Sequence, residues 1–247
     1  MEISTADWTI GKRPVSVAAG SVLGTRYSAN YHVAHLDPVR PLAVVADGMG
    51  DGPGSTAAGR TAVDVFAAQP DLGSPAALRA AVAAVQKAVR AAGRGQPDLT
   101  GCTLTAFVGA ESSPESSGDD SAAWLVQLGD SRAYRLRDGL LELLTTDHTA
   151  AWLGLLNGWY AADSPQARSA RYRLTRYAGH PQAPEPDVIN VSLRPGDRYL
   201  LCTDGVSDEL GDHRLTQLLH HTPALADLLS EASTGADNAT AVLLDVR

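Results

Sequence analysis

Four aspartates in this chain stand where short apolar runs end or begin. Leu42 to Ala46 leads into Asp47-Gly48, and Leu200-Leu201-Cys202-Thr203 leads into Asp204-Gly205. Val126-Gln127-Leu128 runs into Gly129-Asp130-Ser131-Arg132, and Asp237-Asn238 immediately precedes the run Ala239 to Val246. A single Asp-Gly after a strand is ordinarily a turn. Four such sites in one chain point further, because a sheet edge brings strand ends together. Two carboxylates ~4 Å apart repel by roughly 4 kcal/mol at an effective dielectric of 20. If Asp47, Asp204 and Asp237 converge, a cation or a shared proton must relieve that repulsion. Oxygen donors of this kind suit Mg²⁺ or Mn²⁺. Gly48 would let its own carbonyl approach an ion that a side chain would obstruct. Zinc fits less well: the seven histidines include His32, His35, His220 and His221, but the chain has no HExxH and no CxxC pair.

The elements that must position these residues are legible as apolar runs between turn residues. Pro14 to Ala19, Pro41 to Ala46, Cys102 to Val108 and Ala122 to Leu128 predict strands from their length and their Val, Leu and Thr content. Ala133 to Arg137 and Leu140 to Leu144 flank Asp138-Gly139, a strong two-residue hairpin signal. Val188 to Leu193 alternates, turns at Arg194-Pro195-Gly196-Asp197 and continues as Tyr199 to Thr203, with Ala239 to Val246 as a last strand. The short connections favour antiparallel pairing. Ser74 and Pro75 open a helix that Gly93 closes, and Leu78, Val82, Val85 and Val89 form its apolar face. Ser55 to Ala68 predicts a second helix, and Thr222-Pro223 starts a third with Leu225, Leu228 and Leu229 as its stripe. Thr149 to Gly179 reads as partly helical, interrupted by Gly154, Gly158 and Pro165, and Glu111 to Ser121 as a loop.

Of the 247 residues, 44% are hydrophobic, which excludes a wholly disordered chain, and the formal charge of −8 argues against generic nucleic-acid binding. No apolar stretch approaches the ~20 residues that span a bilayer, and Met1 to Lys12 lacks a signal-peptide core. With two cysteines only, Cys102 and Cys202, both in apolar runs, a reduced cytoplasmic protein is expected. The expectation is one domain over 1–247, with no membrane or nucleic-acid partner.

Taken in order, Asp47-Gly48-Met49-Gly50, Gly101-Cys102-Thr103, Gly129-Asp130-Ser131-Arg132-Ala133-Tyr134, Thr146-Asp147-His148, Thr203-Asp204-Gly205 and Asp237-Asn238 resemble the metal-dependent protein phosphatases of type 2C. The resemblance runs from about Gly24 to Val246. It implies an α+β fold, a four-layer α-β-β-α sandwich of two antiparallel sheets flanked by helices. It implies that Asp47 bridges two Mn²⁺ or Mg²⁺ ions, that the Gly48 carbonyl binds one and that Asp204 and Asp237 bind the other. Asp130 matches a ligand for a third, weaker ion, Asn238 would orient its neighbour, and Thr103 and Ser131 would support the site. The implied activity is hydrolysis of phosphoserine or phosphothreonine in proteins by a metal-activated water, without a phosphoenzyme. Arg26 is the candidate phosphate-binding residue, since a guanidinium grips two phosphoryl oxygens at once. His148 is a candidate proton donor or a structural partner of Asp147. The segment 149–180 takes the place of a flap beside the site and carries Arg168, Arg171, Arg173 and Arg176.

Two departures stand out. Where the family places a carboxylate after its N-terminal arginine, this chain has Tyr31 or His32, depending on which neighbour is matched. An imidazole ligates Mn²⁺ but favours Zn, Fe or Ni over Mg²⁺, so one metal is expected to be bound weakly or to be a different ion, with reduced activity. His32→Asp should then tighten metal binding or raise activity. The second departure is Asp51-Gly52-Pro53-Gly54, where another glycine is usual; Asp51 stands either near the ions or in a solvated loop. The residues leave open a phosphatase of a small phosphorylated metabolite and a catalytically silent relative that binds a phosphoprotein.

Overall fold

The computed structural model describes residues 1–95, 100–110, 122–221 and 224–247. The chain opens with a hairpin, β1 (Ile3–Ile10) and β2 (Arg13–Val22), turned at Gly11 with a φ of 60°. A second pair follows, β3 (His32–Leu36) and β4 (Leu42–Asp47), then two helices, α1 (Pro53–Ala67) and α2 (Pro75–Ala92). Next come β5 (Leu104–Gly109), β6 (Ala122–Leu128), β7 (Arg132–Arg137) and β8 (Leu140–Leu143). Two short helices, α3 (Ala150–Leu156) and α4 (Pro165–Ala170), occupy the predicted flap. The chain finishes through β9 (Asp187–Ser192), β10 (Arg198–Cys202), α5 (Asp204–Leu219), α6 (Ala224–Ala232) and β11 (Ala239–Val246).

The strands form a six-stranded sheet in the order β1-β2-β11-β10-β7-β8 and a five-stranded sheet in the order β3-β4-β5-β6-β9. Every pairing is antiparallel. Alternation along the strands sorts the side chains into three apolar layers. On β4, Leu42, Val44 and Ala46 face α1 and α2, while Ala43 and Val45 face the opposite sheet. On β10, Leu200 and Cys202 face α5 and α6, while Tyr199 and Leu201 face inward. The layers are helices, sheet, sheet, helices: the α-β-β-α sandwich that the resemblance implied.

This alternation also places the polar residues. The inward face of β4 continues from Ala43 and Val45 to Asp47, and that of β3 runs back from Leu36 and Ala34 to His32. Asp47 and His32 are register partners, so both reach the same end of the space between the sheets. On the facing sheet, Thr203 and Thr240 continue the inward faces of β10 and β11 at that same end.

Several sequence-level expectations need adjustment. The runs behind β1 and β3 were too short or too mixed to predict strands. Cys102 makes only isolated bridges, to Gly48 and to Ala178, and β5 begins at Leu104. Asp204-Gly205 is no simple turn, since Asp204 opens the helix α5, whose backbone breaks helical geometry at Gly211. Gly154 does not interrupt α3; its lack of a Cβ makes room for the Tyr160 ring. The predicted loop Glu111 to Ser121 and the helix start Thr222-Pro223 lie outside the described residues.

Candidate metal centre

Asp47, Asp130, Asp204 and Asp237 line one cavity of about 280 Å³ at the open end of the sandwich. Gly48, His32, Tyr27, Tyr31 and the flap residue Tyr172 line it too. No Lys or Arg belongs to the described walls. Four acids therefore share one cavity with a single imidazole.

Backbone contacts at the strand ends fix Asp47 and Asp237. The Asp47 N–H donates to Thr103 Oγ1 at 2.9 Å, and that hydroxyl lies 2.6 Å from Ser131 Oγ. The predicted supporting role of Thr103 and Ser131 thus takes the form of clamping the backbone beneath Asp47. The Asn238 N–H donates to Asp237 Oδ1 at 2.7 Å. It is the backbone of Asn238 that orients the carboxylate, because its side chain is engaged elsewhere: Oδ1 accepts from Gly24 N–H at 3.2 Å and Nδ2 donates to the Ala29 carbonyl at 3.2 Å. Two glycines permit the close approach. A Cβ on Gly205 would stand 2.0 Å from the Asn238 carbonyl oxygen, and one on Gly48 would stand 2.3 Å from that of Ser55. The structural reason for Gly48 is therefore contact with α1, besides any exposure of its own carbonyl.

Of Tyr31 and His32, it is His32 whose polar side-chain atom lies against the acids. It is 7% exposed, with Nε2 2.9 Å from Asp47 Oδ1 and 3.6 Å from Asp237 Oδ1. Its Nδ1 lies 3.0 Å from Thr203 Oγ1. Tyr31 instead donates its hydroxyl to the Asp51 carbonyl at 2.6 Å, and Asp51 is exposed and outside the cavity lining.

Charge explains how the acids titrate. Burial, then the neighbouring charges of Asp47, Asp130 and Asp237, pushes Asp204 well above the usual carboxylate range. Burial and the charge of Asp47 push Asp130 up to about 8. Burial also raises Asp237, although His32 works against it. Burial opposes ionised Asp47 too, but the charge and hydrogen bond of His32 prevail and hold it below its ordinary value. In return, the charge and hydrogen bond of Asp47 overcome desolvation and raise His32.

The donor set fits a divalent ion. Asp204 Oδ1 is buried without a hydrogen-bond partner. One ligand atom each from His32, Asp204 and Asp237 falls within 4.8 Å of the others, close to the span of about 4.2 Å between opposite ligands on one octahedral ion.

Other predicted residues lie outside the cavity lining. Arg26 is exposed, with its guanidinium 5.1 Å from the Tyr27 ring centroid, and Tyr27 takes the place on the wall. His148 is a satisfied buried residue: Nδ1 accepts from Gly129 N–H at 3.1 Å and Nε2 lies 3.1 Å from Asp187 Oδ2. Asp147 pairs with Arg132 at 2.7 Å. Cys102 and Cys202 are free and buried, and burial raises both thiols. The flap arginines are largely engaged: Arg171 pairs with Asp208, and Arg176 with Asp187 at 2.9 Å. Sequence reasoning missed Tyr27 and Tyr172 as wall residues, since an aromatic in a loop carries no spacing signal.

Residues 30–244 match the family described as "Protein phosphatase 2C". The chain is 33% identical over 218 residues to the serine/threonine protein phosphatase PstP of Mycobacterium tuberculosis, a match covering 83% of this chain and 40% of that protein. It is 26% identical over 222 residues to the serine/threonine phosphatase Stp of Listeria monocytogenes, covering 83% and 84%. The crystal structure of the PstP catalytic domain with two manganese ions superposes with a TM-score of 0.77 at 32% identity, covering 94% of this chain and 98% of that one. None of these comparisons supports the expectation of reduced activity at the Tyr31/His32 position.

Proposed function

The chain belongs to the protein phosphatase 2C family, and from that premise we propose that it is a metal-dependent phosphatase of phosphoserine and phosphothreonine in proteins. The observation that carries the reading is the meeting of Asp47, Asp130, Asp204 and Asp237 on a cavity whose described walls hold no Lys or Arg. Four carboxylates repel a phosphate dianion, so a cavity of this composition accepts a phosphoryl group only when cations are present.

Asp47, with the Gly48 carbonyl on one side and Asp204 and Asp237 on the other, would hold two Mn²⁺ or Mg²⁺ ions, and Asp130 a third. His32 adds a nitrogen donor to this set. When bound, the ions lower the pKa of an attacking water and neutralise phosphoryl charge. The protein's own part is to position and exclude. Thr103 and Ser131 fix the Asp47 backbone, Asn238 N–H fixes Asp237, and the tyrosines wall the cavity. The described walls hold no serine or cysteine, and the Thr103 hydroxyl is engaged with Asp47 N–H and Ser131, which favours direct attack by water over a phosphoenzyme. Arg26 grips phosphate from the rim by leaving the face of Tyr27. Residues 1–247 act as one catalytic domain with 149–180 as its flap. Two free buried cysteines fit a reducing, cytoplasmic setting; among the described residues, no helix is long and apolar enough to cross a membrane.

The test is hydrolysis of p-nitrophenyl phosphate and of a phosphoserine/phosphothreonine peptide panel, with Mn²⁺ and with a chelator. Turnover that depends on Mn²⁺ and favours peptides over phosphorylated metabolites is expected. Turnover indifferent to the chelator would overturn the reading.

A further inference from the structure

We infer that the imidazole of His32, held in place by the Thr203 hydroxyl, makes this centre select a nitrogen-preferring divalent ion of the Zn²⁺, Co²⁺ or Fe²⁺ class over Mg²⁺. The inference rests on the metal-centre reading above and adds to it the identity of the ion and the residue that sets it.

Three observations carry it. First, His32 points into the acid cluster from the inward face of β3, beside Asp47 and Asp237. Its Nε2 faces the carboxylate oxygens of Asp47 and Asp237, where a ligand atom would belong. Second, the far ring nitrogen has its own oxygen partner. For Nε2 to ligate, the ring proton must sit on Nδ1, and Thr203 Oγ1 at 3.0 Å accepts it. A ligating histidine that donates its other N–H to an oxygen has its tautomer and ring orientation fixed. Third, Thr203 gives up another role to do this. It is the N-cap residue of the sixteen-residue α5, yet its side chain makes no capping bond. A capping hydroxyl is worth about 1 kcal/mol to a helix. Here Oγ1 is turned instead to His32 and to the Thr240 N–H at 3.2 Å. Other N-caps in the chain, Ser74, Thr149 and Ser164, do make the usual bond.

Ion preference follows from donor chemistry. Sites made of oxygen alone suit Mg²⁺, Ca²⁺ and Mn²⁺, whereas imidazole suits Zn²⁺, Fe²⁺ and their neighbours, and Mg²⁺ surrenders its water reluctantly. This amends the expectation, drawn from the absence of linear zinc motifs, that zinc fits poorly. The nitrogen ligand comes from a strand that no short motif reveals. Thr203 is a positioning residue in this scheme.

The experiment is competitive metal titration of the full chain with Mg²⁺, Zn²⁺ and Co²⁺ for wild type, His32→Asp, Thr203→Val and Thr203→Ser, read by Co²⁺ absorption and by side-chain ¹⁵N NMR of the histidines. The Zn²⁺-to-Mg²⁺ affinity ratio is expected to fall at least about tenfold in His32→Asp. Thr203→Val is expected to lose ~10–100-fold in Zn²⁺ affinity, the usual cost of removing such a partner, and Thr203→Ser to recover most of it. Zn²⁺ should move the Nε2 resonance that His32→Asp deletes. This last measurement needs only wild type to fold. An unchanged ion ratio in His32→Asp, or a His32 Nε2 resonance that Zn²⁺ leaves in place, overturns the inference. If Mn²⁺ still supports hydrolysis in that case, the phosphatase reading stands alone. If none of these ions binds, both fall.

Discussion

Two aspartates bracket the strand β10, and they are treated in opposite ways. Asp197 precedes it, is 1% exposed and is fully engaged: both oxygens accept from Arg137, at 2.7 and 2.6 Å, and one also accepts from Arg194 N–H at 2.8 Å. Asp204 follows the strand with one buried oxygen unpartnered and three other carboxylates around it. A fork of guanidinium donors makes a buried carboxylate self-sufficient. At the other end the protein withholds such a partner, and the missing positive charge has to come from solution. The same residue type is structural at one end of five residues and poised for chemistry at the other.

The contrast can be broken at either end. Asp197→Ala takes a buried acceptor away from half-buried Arg137 and from Arg194 N–H and should cost about 1.5–3 kcal/mol, the usual worth of hydrogen bonds to a charged group. Urea unfolding measures it, and Mn²⁺-dependent turnover of the folded fraction should survive. Asp204→Asn should do the reverse. Turnover should fall ~10²–10³-fold, about 2.7–4 kcal/mol in the barrier, while the metal-free protein gains stability from one fewer repelling acid. A urea midpoint that drops in Asp204→Asn would erase the distinction.

A pH series sharpens it further. Asp204, Asp130 and Asp237 have folded pKa values above their unfolded ones, Asp130 at about 8. Between about pH 4 and 8 the folded state therefore holds more protons than the unfolded state, and stability falls as pH rises. His32, also raised, acts in the same direction: its contribution is complete below about pH 6.5 and is lost above its folded pKa. Urea midpoints in chelator should decline from pH 5 to pH 8, and Mn²⁺ should flatten that slope. A chelated protein that grows more stable toward pH 8 would contradict the placement of these acids. The smallest effect belongs to an exposed pair: Arg79→Ala, which loses Glu185 at 3.8 Å, should change stability by less than about 0.5 kcal/mol.

What the sequence disclosed follows from how local each signal is. Ser74 caps α2 through Ala77 N–H, and Asp138-Gly139 adopts φ values of 52° and 81°, both decided within four residues. The acids were found because strand ends have a recognisable grammar, and their order carried the family resemblance. The strand β1 escaped because it is an edge strand whose Asp7 and Thr9 alternate with Trp8 and Ile10, leaving no apolar run. His32 was visible as a departure, but its partnership with Thr203 spans 171 positions and exists only once two sheets face each other. Arg26 and Tyr27 show the same limit: adjacent in sequence, they take different places because one wall position admits one side chain.

The loop from Gly24 to Ala29 is sewn to the segment before β11. Thr25 and Arg26 donate their backbone N–H groups to Gly235 and Ala236, and the Asn238 amide spans from Gly24 to Ala29. The stretch carrying Arg26 and the stretch carrying Asp237 therefore travel as one piece. Any change that widens the cavity mouth for a bulkier partner also drags an acid away from the centre, which couples what the protein admits to how tightly it keeps its ions.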